Sequence, residues 1–140
     1  MKCREIMTSN PVCCLPDDTA GQVARVMRRE HVASLPVISD ERSKILIGIL
    51  TNRDLVTKVV AESRGPNQTE VAEVMTRTIV ACRADDDVDS AIAAMEDYGV
   101  RHLPIIDRQG SILGIISQSD VRTPYPRRPL GIVREMFQAA

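Results

Sequence analysis

The chain is most constrained by its likeness to itself. Shifted by 68 residues, Glu5-Ile6-Met7-Thr8 falls on Glu73-Val74-Met75-Thr76, Val12 on Val80, and Cys14 on Cys82. Asp17-Asp18 meets Asp85-Asp86, Met27 meets Met95, and Leu35-Pro36-Val37-Ile38 lands on Leu103-Pro104-Ile105-Ile106. Beyond that point the offset is 66, because the first copy carries two extra residues near 40–44. Gly48-Ile49-Leu50-Thr51 then meets Gly114-Ile115-Ile116-Ser117, and Asp54 meets Asp120. Turn, cap and apolar positions recur in one order, which marks two copies of one folding unit. A unit of about 55 residues buries little of its own surface. The copies are therefore expected to pack together with pseudo-twofold symmetry around a shared core.

Each copy reads as β-α-β-β-α, an α/β (α+β) fold. A short apolar strand is expected over 12–14 and again over 79–82. The first helix follows Thr19, which has capping-box spacing to Gln22, and its core-facing stripe is expected to run through Val23, Val26, Met27 and Glu30. Its counterpart is expected to be capped by Asp87, to bury Val88, Ala91, Ile92 and Met95, and to stop at Gly99. Hairpins follow over 34–38 with 44–50, and over 101–106 with 111–116. A closing helix runs from Asn52 towards Glu62, and a shorter one starts at Gln118. The expected division is 1–62 for the first repeat, 63–69 for a linker with Gly65, Pro66 and Asn67, and 70–122 for the second. A Pro/Arg-rich tail occupies 123–140, where the proline run forbids a long helix.

Composition narrows the function classes. Aromatic content is 2% with no Trp, so the core is aliphatic. The net charge of −1 gives no basic field for nucleic acid, and stacking rings for single strands are lacking. No apolar run is long enough for a membrane span and no signal-peptide pattern opens the chain, so a cytoplasmic protein is expected. Cys3, Cys13, Cys14 and Cys82 show no metal-ligand spacing and read as reduced, structural thiols. His31 and His102 have no nucleophile at catalytic spacing and there is no phosphate loop of the Walker type. The expectation is a protein that is not an enzyme and holds no metal.

The strongest local motif is Gly48-Ile49-Leu50-Thr51-Asn52-Arg53-Asp54, echoed by Gly114-Ile115-Ile116-Ser117-Gln118-Ser119-Asp120. An apolar strand ends on a hydroxyl residue, and a carboxylate follows three positions later at a helix start. A carboxylate accepts from paired ribose hydroxyls, and a hydroxyl donates to phosphate oxygen. The same spacing is also a helix capping box. Its recurrence at equivalent places favours a binding role. Each glycine lets a planar base or a neighbouring backbone approach closely.

With Met7-Thr8 through Asn10-Pro11-Val12 and the two Leu-Pro strands, these segments make the chain resemble a tandem pair of CBS domains, a Bateman module, over roughly 1–122. The resemblance implies a cleft between repeats that takes an adenosine-containing ligand: AMP, ADP or ATP, less often NAD or S-adenosylmethionine. It implies that Asp54 and Asp120 hold ribose hydroxyls and that Thr51 and Ser117 lie near ribose or phosphate. It also implies that backbone around Val12 and Val80 meets adenine. Before Leu-Pro stand Ala33-Ser34 in one copy and Arg101-His102 in the other. The small pair would border the base; the basic pair would reach phosphates or else stay exposed at a strand end. Two inequivalent sites are expected: one built from Ala33, Ser34, Arg101, Ser117 and Asp120, and a weaker one using Thr51 and Asp54. The resemblance further implies a homodimer, and a separate effector protein is expected to read any change in its geometry. The competing reading is a dimerisation or docking module whose clefts are empty.

Overall fold

The computed structural model describes residues 1–121; the expectations for the tail lie outside the described residues. In chain order the elements are α1 (Cys3–Ile6), β1 (Thr8–Ser9), α2 (Ala20–Glu30), β2 (Ser34–Ile38), β3 (Leu46–Thr51) and α3 (Asn52–Leu55). A π-helical turn, Val56–Val60, continues α3. The second half holds α4 (Val71–Val74), β4 (Cys82–Arg83), α5 (Val88–Tyr98), β5 (His102–Ile106), β6 (Ile112–Ser117) and α6 (Gln118–Val121).

The helices follow from local chemistry. The Thr19 hydroxyl accepts from the Gln22 amide at 3.1 Å while the Gln22 side chain accepts from the Thr19 amide at 2.8 Å, closing the expected capping box. Asp87 does stand before α5, but its side chain caps nothing. Its carboxylate is drawn instead to the Lys2 ammonium at 3.2 Å. Gly99 ends α5 in the left-handed region, with φ 64°. The same place after α2 is taken by His31, with φ 55°.

The first strands are shorter than expected. Of 12–14 only Cys14 joins a sheet, through a parallel bridge to Val37, and of 79–82 only Cys82 is in β4. The reason is a crossing. Thr8 and Ser9 pair with β6 of the second repeat, whereas Cys14 pairs in the first, so the intervening residues pass from one sheet to the other. Thr76 likewise pairs with Ile49 of the first repeat before Cys82 pairs with Ile105 of the second. Each repeat thereby lends its leading segment to its neighbour.

The cores show the same exchange. One gathers Cys14, Val23, Met27, Leu35, Val37 and Leu50 with Val71, Val74 and Met75. The other gathers Ala91, Met95, Leu103, Ile105 and Ile116 with Cys3. The short helices α1 and α4, absent from the expectation, deliver these exchanged side chains. Gly48 and Gly114 sit beneath the crossing segments. A Cβ on Gly114 would lie 2.8 Å from the Thr8 carbonyl oxygen, and one on Gly48 would lie 3.2 Å from that of Thr76. Of the two roles open to these glycines, close approach of backbone is the one observed.

The sheets are β1-β6-β5-β4 and β2-β3, the latter flanked by the Thr76 and Cys14 bridges in the same relative places. Where the hairpins meet, Ile45 pairs with Ser111, its own counterpart under the 66-residue offset. The Leu46 amide donates to the Gly110 carbonyl at 3.0 Å, and the Ile112 amide to the Lys44 carbonyl at 2.9 Å. These are one bond and its symmetry mate, so the pseudo-twofold axis passes between Ile45 and Ser111.

Candidate ligand-binding site

The two strand-to-helix corners are alike in sequence and differ in surroundings. At the first, the Thr51 amide donates to Asp54 at 3.0 Å and the Asp54 amide to the Thr51 hydroxyl at 3.2 Å. The carboxylate also accepts from the Thr76 hydroxyl at 3.1 Å. Lys58, one turn on, approaches it to 2.9 Å and donates to the Val74 carbonyl at 3.0 Å. Asp54 is 6% exposed. Its acceptor capacity is spent on groups of the protein, as a buried charge requires.

At the second corner, the Ser117 amide and hydroxyl donate to one oxygen of Asp120, at 2.8 and 3.0 Å. The hydroxyls of Ser117 and Ser119 lie 2.8 Å apart. Asp120 itself is exposed. The residue equivalent to Lys58 is Pro124, which carries no ammonium.

This second corner opens onto a cavity of about 530 Å³. One wall is the crossing segment with Thr8, Asn10 and Val12; another is the end of α2 and start of β2, with Glu30, His31, Ala33 and Ser34. The third is His102, Ile115, Ser117, Ser119 and Asp120. Its volume lies within the range of small-molecule sites, roughly 300–1,000 Å³, and apolar walls with few polar groups suit a flat, partly polar ligand. Burial, aided by the Arg101 cation and opposed by Asp120, holds the His102 imidazole below its ordinary pKa.

Of the residues singled out in the sequence, Val12, Ala33, Ser34, His102, Ser117 and Asp120 share this cavity. Arg101 is exposed beside His102 and outside the lining. Thr51 and Asp54 form the other corner, and Val80 packs against the second core. Sequence reasoning passed over Thr8, Asn10, Glu30, His31 and Ser119. For His31 a signal existed: it aligns with Gly99, so a histidine occupies a helix stop where its repeat partner has glycine.

Fold and cavity together define a tandem-repeat module with a cavity of small-molecule size between its repeats. Residues 3–61 and 71–125 each match the CBS domain, and the chain belongs to that family. A pair of such domains is a regulatory module. An uncharacterized protein of Methanopyrus kandleri is 31% identical over 95% of this chain and 64% of its own length. Inosine-5′-monophosphate dehydrogenase of Methanocaldococcus jannaschii is 31% identical over 90% of this chain, which spans 24% of that enzyme. Among solved structures, Hypoxic Response Protein I with two coordinated zinc ions superposes with a TM-score of 0.79 at 27% identity, over 90% of this chain and 100% of that one. The CBS domain pair of protein MJ0100, in complex with 5′-methylthioadenosine and S-adenosyl-L-methionine, shares the fold with a TM-score of 0.75 at 22% identity, over 100% and 98% of the chains. Among the described residues no helix is long and apolar enough to cross a membrane.

Proposed function

We propose that this chain is a non-catalytic sensor that binds one adenosine-containing small molecule in the cavity beside Asp120. The candidates are AMP, ADP, ATP, NAD and S-adenosylmethionine. The observation that carries the reading is the asymmetry of the two corners: Asp54 is consumed by Thr51, Thr76 and Lys58, while Asp120 stands exposed on a cavity of ligand size. Asp120 and Ser117 would take the ribose hydroxyls. Val12, Ala33 and Ser34 would border the base. Another protein of this fold holds adenosine-derived ligands, which is consistent with that assignment. The Thr51 and Asp54 corner is the weaker site of the pair.

Both repeats line the cavity, so a ligand that fits one arrangement better shifts the population towards it. The change would pass through a homodimer to a separate effector. Thermal unfolding with each of the five compounds and a blank tests the reading. A ligand at 100 times its dissociation constant stabilises by about 2.7 kcal/mol. Asp120→Ala should lose that gain while keeping the unliganded melting temperature. No shift with any adenosine compound rejects the sensor and favours a docking module with empty clefts.

A further inference from the structure

The charged groups of the cavity discriminate among those five compounds. Among the described residues the lining holds two carboxylates, Glu30 and Asp120, and no lysine or arginine. Glu30 is partly offset by Arg29, whose Nε lies 3.2 Å from it and which is not among the described lining residues. Asp120 has hydroxyl and amide donors from Ser117 but, among the described residues, no ammonium or guanidinium bonded to it. Two imidazoles, His31 and His102, are the other ionisable groups among the described lining residues. Burial and the adjoining Arg101 favour the uncharged form of the His102 ring.

A polyphosphate brought into such a cavity loses hydration and meets carboxylates where it needs cations. Strong phosphate recognition rests on charge-assisted donors, which the described lining does not supply. A positive centre on the ligand gains from the same carboxylates, more so in a partly enclosed site than in open water. Hydroxyl and amide groups from Thr8, Asn10, Ser34, Ser117 and Ser119 serve neutral sugar and base atoms equally well in either case.

We infer that the cavity takes an adenosine compound bearing a positively charged 5′ substituent, of the sulfonium or amine class, in preference to a phosphorylated one. The inference rests on the adenosine reading above. Its test is isothermal titration of the full chain with S-adenosylmethionine, AMP and ATP, without added divalent metal. S-adenosylmethionine should bind at least tenfold more tightly than AMP and ATP. Glu30→Gln and Asp120→Asn should each narrow that ratio. Equal or tighter binding of either phosphorylated compound overturns the charge selection while leaving the adenosine site standing, as does a ratio that neither variant moves. Absence of binding by all three rejects the site itself, and the charge selection with it.

Discussion

The Thr76 hydroxyl donates to the Asp54 carboxylate at 3.1 Å, tying the segment that opens the second repeat to the helix that closes the first. Lys58 completes the tie by touching both Asp54 and the Val74 carbonyl. Asp54 thus belongs to the fastening between repeats. Asp54→Ala leaves the half-buried donors of Thr51, Thr76 and Lys58 without their acceptor and should cost about 2 kcal/mol, seen as a lower midpoint in urea. Asp120→Ala, at an exposed position, should stay within about 0.5 kcal/mol of the parent. Equal losses at the two positions would contradict the assignment.

The two corner glycines should respond unequally to a methyl group. At Gly114 the added carbon would crowd the Thr8 carbonyl at 2.8 Å as well as Met7. At Gly48 the nearest atom is the movable Met75 sulfur, with the Thr76 carbonyl farther off at 3.2 Å. Gly114→Ala is expected to destabilise by about 1–3 kcal/mol and Gly48→Ala by less. Chemical denaturation of both variants checks the order.

His31 holds φ 55° at the end of α2. An L-residue pays roughly 1–2 kcal/mol for that conformation, and glycine is free of it. His31→Gly should raise the melting temperature of the unliganded protein. An unchanged or lower value would show that the imidazole makes up the difference through contacts at the cavity rim.

Stability should depend on pH through His102. Its folded pKa lies below the ordinary value because burial and Arg101 disfavour the cation. The unfolded chain then binds the proton more readily. The contribution is full above about pH 6.5 and is lost as pH falls through the folded value. Melting temperatures across that window should fall on acidification, and His102→Gln should flatten the change. A slope identical in parent and variant would exclude His102 as its source.

The thiols should be quiet in the native state. Burial, with Asp18 and Cys13 nearby, pushes the Cys14 thiol up to about 12. Burial also raises Cys3, Cys13 and Cys82. At pH 7.5 a disulfide reagent should therefore react slowly, because the thiolate is the attacking species. All four thiols should titrate once denaturant is added. Rapid native labelling of Cys14 would refute its burial.

What could be read from the residues was whatever is encoded nearby in the chain. The capping box at Thr19, the stop at Gly99 and both Leu-Pro hairpins are local patterns, and each formed. The exchange of leading segments depends on pairing between residues far apart, such as Thr8 with Ile115, and no local period announces it. The corner motifs Thr51-Asn52-Arg53-Asp54 and Ser117-Gln118-Ser119-Asp120 share the same spacing, so the expected inequality of the sites rested on the residues before Leu-Pro and not on the corners themselves. Their difference comes from outside the motif. Lys58 faces Asp54, whereas proline stands at the matching position 124. Asp87 holds the expected position before α5, yet its carboxylate bonds the distant Lys2 and not a local amide.

The interlaced strands also limit how this molecule can move. Separating the halves means drawing Thr8 and Ser9 out from beside β6 and Thr76 away from Ile49, which breaks backbone ladders on both sides at once. Sliding apart is therefore costly, because each half is fastened by a strand that the other half supplies.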